Sequence, residues 1–204
     1  MTANDIYANA TAFLSNIDAD WEELIRTVGP YAFTPKPERE PYEALVRAVA
    51  YQQLSTKAGD AILGKLISHF GAFPTPQQLI SAEFDDLRAA GFSGRKIETL
   101  KGIAAGVQNG LVPSRSIADS MSDEALIECL VTLKGIGRWT VEMMLIFTLE
   151  RMDILPADDF GIVEGYRRLK KLETAPKHRQ MTEIGKAWSP HRTVASWYLW
   201  RVPK

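Results

Sequence analysis

The stretch Lys134-Gly135-Ile136-Gly137-Arg138-Trp139-Thr140-Val141 constrains the fold more than any other part of the chain. Two glycines around one aliphatic residue let the backbone turn tightly and approach another molecule with no Cβ in the way. Both flanks read as helices. Upstream, Ser122 is an N-cap candidate followed by the acids Asp123 and Glu124, and Leu126, Ile127, Leu130 and Leu133 keep helical apolar spacing. Downstream, Trp139 to Leu149 is apolar enough that a helix there is mostly buried. That second helix would begin directly after the turn, so its unpaired first-turn N–H groups and positive dipole end point outward, the geometry that receives a phosphate oxygen. A helix C-cap and a short turn would explain the same glycines without any ligand. Further on, Pro156-Ala157-Asp158-Asp159 adds a carboxylate pair for which a phosphate clamp has no use.

With 204 residues, 46% of them hydrophobic and 24% charged, the chain can bury a full core in one large or two small domains. It has no apolar run near the roughly 20 residues that cross a bilayer, and Met1-Thr2-Ala3-Asn4-Asp5 lacks the basic and apolar stretches of a secretory leader. The expectation is an intracellular protein without membrane contact. Cys129 is the single cysteine, which excludes an internal disulfide and a four-cysteine cluster. His69, His178 and His191 are scattered, and none has a second ligand at metal-site spacing. The formal net charge is −1, yet Gly161 to Lys204 alone carries +7 and the remainder −8. Such an asymmetry can give a basic face to a near-neutral protein, while most of these cations also read as an ordinary solvated helix surface.

Helical spacing recurs along the whole chain, with no convincing strand alternation, so the fold class is all-α. Asp18 to Arg26 opens with a capping acid and closes near Gly29-Pro30; Pro30 to Pro41, with Pro35 and Pro37, is a connector. Helices follow from about Tyr42 to Gln53, from Ser55 or Thr56 to Gly71, after Thr75-Pro76, and from Ser93-Gly94-Arg95 to about Asn109-Gly110. Later ones fall at roughly 114–119, 122–133, 138–150, 159–171, 180–188 and 191–201.

Four segments carry a resemblance: Ala50-Tyr51-Gln52-Gln53-Leu54-Ser55, Leu133 to Thr140, Leu155-Pro156-Ala157-Asp158-Asp159, and Trp188-Ser189-Pro190-His191-Arg192 with Trp200. In this order they resemble the helix-hairpin-helix DNA glycosylase superfamily, and within it the alkylbase-excising 3-methyladenine-DNA glycosylase II branch. The resemblance implies a single glycosylase unit of two helical lobes, one of about 43–150 and one of about 1–42 plus 151–204, with the active-site cleft between them. It implies the compact form, without the β-rich N-terminal domain of longer members.

Asp159 aligns with the family's essential aspartate, which stabilises the sugar cation or orients water as an N-glycosidic bond breaks. Asp158 is read as a helix cap. Relatives that also cut the backbone have a lysine where this chain has Trp139, so water is the expected nucleophile and no lyase step is expected. Trp139 and Trp200 correspond to aromatics of the base pocket, suited to alkylated bases that carry positive charge; Met143 stands where the family often has tyrosine. Trp200 reads equally well as an ordinary core aromatic of the C-terminal helix, Trp197 is read as core, and Tyr198 lies nearby without a family counterpart.

A base reached inside a duplex must be extruded and its place filled. The Gln52-Gln53-Leu54 tip matches the family's wedge, with Gln53 or Leu54 as the plug. The resemblance extends the DNA-binding set to Ser55, Lys134, Gly135, Gly137, Arg138, Thr140 and Arg192, with Lys134 a phosphate contact or simply solvent-exposed. It implies no required cofactor, and a monovalent cation on the backbone carbonyls of Val131, Leu133 and Ile136. The implied partner is double-stranded DNA with damaged bases, bound by a monomer in the cytoplasm or nucleoid, or in the nucleus if the source is eukaryotic. Two alternatives stay open: a non-catalytic helix-hairpin-helix DNA-binding module, and a glycosylase for deaminated or etheno bases.

Overall fold

A computed structural model describes residues 3–33 and 38–203. Pro35 and Pro37 of the expected connector, the first two residues and Lys204 lie outside them. Every regular element among the described residues is helical, and the chain divides into two compact units, Pro35–Glu150 and Met1–Thr34 with Arg151–Lys204.

The continuous unit holds α3 (Pro41–Tyr51), α4 (Thr56–Phe70), α5 (Pro76–Ser81), α6 (Phe84–Ala90), α7 (Gly94–Gln108), α8 (Arg115–Ser120), α9 (Asp123–Leu130) and α10 (Arg138–Phe147). Short polar side chains start four of these helices by satisfying orphan N–H groups. Ser55 accepts from Ala58 N, Ser93 from Lys96 N and Ser122 from Ala125 N, and Thr75 forms a capping box with Gln78. Helix α3 packs on α4, α7 and α10, while α7 also covers α5 and α6. The interior between them is aliphatic: Leu45, Val46, Val49, Leu100, Ile103, Val141 and Leu145 are fully buried.

The second unit is assembled from both ends of the chain. It contains α1 (Ala3–Ser15), α2 (Ala19–Val28), α11 (Phe160–Leu169), α12 (His178–Gly185) leading into a 3-10 turn at Lys186–Trp188, and α13 (Arg192–Leu199). Ala10, Leu14, Trp21 and Leu24 form one core with Ile162, Met181, Trp188, Val194, Tyr198 and Leu199. Trp21 and Trp188 meet edge to face at 5.3 Å. Asp18 caps α2 through Asp20 N and Trp21 N, and its other oxygen accepts from Lys170 at the end of α11 at 2.6 Å. Helices α11 and α13 touch backbone to backbone at Gly165, where an added Cβ would lie 2.1 Å from the Leu199 carbonyl oxygen.

Several boundaries differ from expectation. The helix expected over 122–133 ends at Leu130, because Thr132 N and Leu133 N turn back to the carbonyls of Cys129 and Leu130 in tighter bonds. The helix expected to reach 150 stops at Phe147, and Glu150 takes a positive φ of 56°. The helix expected over 180–188 starts at His178 and changes to 3-10 geometry after Gly185. Helix α6 was not legible; it is short, and Glu83 gives it no side-chain cap.

Candidate functional site

In the continuous unit, the Gly-Ile-Gly turn joins α9 to α10, and its two glycines do different work. Gly135 has φ +85°, and a Cβ there would sit 2.2 Å from Thr99 Oγ1, so the fold itself requires glycine. Gly137 has an ordinary φ of −98° and open space around a virtual Cβ. No internal contact asks for glycine at 137. Gly137 is also the N-cap of α10 and supplies no side chain to its first turn. Among the carbonyls proposed for a cation, that of Leu133 accepts from Ile136 N at 3.0 Å within the same turn. No cluster of His, Cys, Asp or Glu able to hold a metal ion occurs among the described residues.

The tip after α3 is fastened to this turn. Gln52 Nε2 donates to the Gly135 carbonyl at 3.2 Å and to Thr140 Oγ1 at 3.3 Å. Lys96, at the start of α7, donates from Nζ to the carbonyls of Ala50 (3.1 Å) and Gln52 (2.9 Å). Burial pushes its ammonium pKa down. Gln53 holds φ 58°, costly for a residue with a Cβ, and Leu54 is 42% exposed. A strained residue and an exposed leucine on a tip pinned from two sides suit insertion into something else. Ser55, by contrast, spends its hydroxyl on the α4 cap.

Three more of the expected DNA-facing side chains are engaged inside the protein. Thr140 is buried and accepts from Gln52. Arg138 forks onto Glu124 at 2.9 and 3.0 Å and reaches the buried Glu142 at 3.0 Å. Two carboxylates thus already surround that guanidinium. Arg192, in the other unit, forks onto Asp153 at 2.7 and 2.9 Å. Lys134 remains largely exposed beside Glu98, its partner at 2.6 Å.

Trp139 and Met143 project from one side of α10 into a cavity of about 270 Å³, lined also by Tyr51, Met144 and Phe147. Its charged members are Arg39 and Arg47, which share Glu43 at 3.6 and 2.7 Å. Sequence reading missed Tyr51 and both arginines as lining residues, since only the packing of α3 against α10 brings them there. Tyr51 is seated on α4 at Gly59, where a Cβ would run into its ring, and its hydroxyl donates to Asp60.

In the unit built from both chain ends, the acidic pair is resolved in an unexpected way. Asp159, not Asp158, caps α11: its Oδ1 accepts from Ile162 N at 3.0 Å. The same oxygen accepts from Trp200 Nε1 at 2.8 Å, so Trp200 addresses the carboxylate directly. Gly161 makes that approach possible, because a Cβ there would lie 2.7 Å from Trp200 Cδ1 and 3.1 Å from Asp159 Oδ1. The reading of Asp158 as a cap is corrected. Asp158 is exposed and pairs with His178 Nδ1 at 2.9 Å, since the turn closed by Asp159 N on the Pro156 carbonyl puts the next residue at the helix start. Phe160, the first residue of α11, is 82% exposed beside Asp159. It too went unnoticed in the sequence, where an aromatic after an acid reads as core. Trp197 is buried in the core, as expected, and Tyr198 is buried beside it.

Fold and turn together describe a helix-hairpin-helix protein with a fixed carboxylate. Residues 46–190 match the model of the HhH-GPD superfamily of base excision DNA repair proteins, and the chain belongs to that superfamily. It is 47% identical over 198 residues to DNA-3-methyladenine glycosylase 1 of Schizosaccharomyces pombe, covering 96% of this chain and 87% of the relative. It is 38% identical to the alkylbase DNA glycosidase-like protein mag2 of the same yeast, over 100% of this chain and 97% of that one. Among solved structures it is similar to S. pombe 3-methyladenine DNA glycosylase (Mag1) in complex with abasic DNA, with a TM-score of 0.90, 45% identity and 95% of each chain covered. It is also similar to a DNA-3-methyladenine glycosidase from Bacillus halodurans, with a TM-score of 0.82, 33% identity, and 94% of this chain and 88% of that one covered.

Proposed function

We propose that this protein is a monofunctional DNA glycosylase that hydrolyses the N-glycosidic bond of alkylated purines in base excision repair. The observation that carries the reading is the Asp159 carboxylate, tied by one oxygen to Ile162 N and Trp200 Nε1. A carboxylate held this way needs no reorganisation when positive charge develops on a sugar, which is how a fixed charge lowers the barrier. The names of the relatives support the same substrate class.

On this reading the Trp139 ring and its cavity receive an extruded base. A base alkylated at N3 or N7 is cationic, favours the face of an electron-rich ring and leaves the sugar without prior protonation. The Gly137 end of α10 takes a phosphate, and Gln53 or Leu54 fills the vacated stack. Gln52, Thr140 and Lys96 hold the tip and the hairpin in register, and Arg138 and Arg192 are structural cations. A monovalent cation on the carbonyls of Val131, Leu133 and Ile136 belongs to the same proposal. Leu133 keeps a second lone pair for it beyond the one given to Ile136.

The test is Asp159→Asn on duplexes carrying one 7-methylguanine or 3-methyladenine. Single-turnover excision is expected to fall by at least about 100-fold, as for loss of one strong electrostatic contact in a dry site. Affinity for an abasic duplex should stay close to wild type. A fully active Asp159→Asn variant would leave Asp159 as only a cap and move the chemistry to another group, whereas no excision by the wild type would favour the non-catalytic helix-hairpin-helix module.

A further inference from the structure

We infer that Trp200 acts as a positioning residue for Asp159, and that Gly161 is the residue that lets it do so. The inference rests on the glycosylase reading above and adds to it: an aromatic expected as a wall of the base pocket is assigned instead to the orientation of the carboxylate.

A carboxylate at a helix N-cap is already aimed by its bond to the backbone, but it can still rotate about its own axis and exchange one oxygen for the other. A second donor on the same oxygen from a different direction removes that freedom. Trp200 Nε1 is such a donor, at 2.8 Å from Oδ1, while Ile162 N lies 3.0 Å from it. Indole N–H can only donate, so this contact cannot invert. The bond spans 41 residues of chain and joins the end of α13 to the start of α11. Those helices are locked to each other where Gly165 meets Leu199, directly before Trp200. The indole is therefore carried by a rigid contact.

Gly161 fits this arrangement and nothing simpler. Its φ lies outside the left-handed region, so backbone conformation does not call for glycine. What calls for it is space: a Cβ would come within 2.7 Å of the indole Cδ1 and 3.2 Å of Nε1, on the side from which Trp200 reaches Asp159. Glycine at 161 and tryptophan at 200 are two halves of one device.

The experiment compares Trp200→Phe, Gly161→Ala, Asp159→Asn and the double variant Asp159→Asn/Trp200→Phe by single-turnover excision of 7-methylguanine and by affinity for an abasic duplex. Phenylalanine keeps a stacking ring, smaller than indole, and loses the N–H, whereas Gly161→Ala disturbs the same contact without shortening the ring. Trp200→Phe is expected to slow excision about 10-fold or more, in line with one hydrogen bond to a charged group, with abasic-duplex affinity and melting temperature near wild type. Gly161→Ala should slow it similarly while keeping the indole. On the Asp159→Asn background, Trp200→Phe should cost little more, since the two residues act as one unit. Full activity of Trp200→Phe, or an undiminished loss on the Asp159→Asn background, would overturn the inference and leave the glycosylase reading standing. Full activity of Asp159→Asn would end the inference and take Asp159 out of catalysis, while no excision by the wild type would end the glycosylase reading itself.

Discussion

At the scale of single residues, the glycines of the hairpin separate what the fold needs from what a ligand needs. Gly135 is demanded from inside, by its positive φ and by Thr99; Gly137 is not. Gly135→Ala should therefore destabilise the protein by about 1–3 kcal/mol, read in a denaturant melt. Gly137→Ala should leave stability within about 0.5 kcal/mol of wild type. It should nevertheless weaken binding to an abasic duplex about tenfold, equivalent to about 1.4 kcal/mol, because the added methyl stands where a phosphate approaches the backbone. Equal affinity at fixed salt would remove the hairpin from the DNA interface. The sequence made both glycines visible and could not tell them apart. The difference lies in Thr99, on α7, far away in the chain. With Asp158 and Asp159 the cap was placed one residue too early, because only the turn at Pro156 decides which of two adjacent acids caps α11.

At the scale of elements, most of the helix starts were legible because a cap is a local bond between a short polar side chain and an N–H three residues on. Asp18, Ser55, Thr75, Ser93 and Ser122 all behave so. Tertiary fastenings were not. Lys96 on the tip carbonyls, Gln52 on the hairpin and Arg192 on Asp153 each join elements by bonds that no periodicity encodes. The last of these makes a prediction. Burial alone would raise the Asp153 carboxyl, but hydrogen bonds from Arg192 and Ser189 outweigh it and hold the group below the usual carboxylate range. A depressed carboxylate contributes stability above its unfolded pKa and loses that contribution as pH falls through the folded value. Asp153→Asn should thus cost about 1–2 kcal/mol at neutral pH. The gap to wild type should close as pH drops below about 4, the ordinary carboxyl range. Melting curves of both proteins across pH 2–7 would check this, and a gap that widens in acid would refute it.

At the scale of the whole molecule, the charge asymmetry read along the chain largely disappears. The first 34 residues carry −4, residues 151–160 carry −2 and residues 161–204 carry +7, so the unit they form carries +1; the other unit carries −2. Many of the apparent basic-face cations are also paired: Arg167 and Arg168 with Glu164, Lys170 with Asp18 and Asp20, and Arg192 with Asp153. Linear counting misled because the acidic N-terminal helices pack with the basic C-terminal ones. The expectation of no lyase step rests on a single position, the tryptophan at 139. Borohydride treatment during excision should leave no covalent protein–DNA adduct, and a trapped adduct would show an amine nucleophile elsewhere.

The unit made from both chain ends also bears on how the polypeptide can be synthesised. Trp21, Leu24 and Leu14 leave the ribosome well before their core partners Trp188, Val194, Tyr198 and Leu199. Until α13 emerges, the first two helices have no interior to enter and present bare tryptophan and leucine to the solvent, while residues 35–150 can already close their own core. A nascent chain stalled before residue 192 should therefore show protease protection over about 38–150 and cleavage in α1 and α2, a vectorial order in which these two helices become native after a segment translated later.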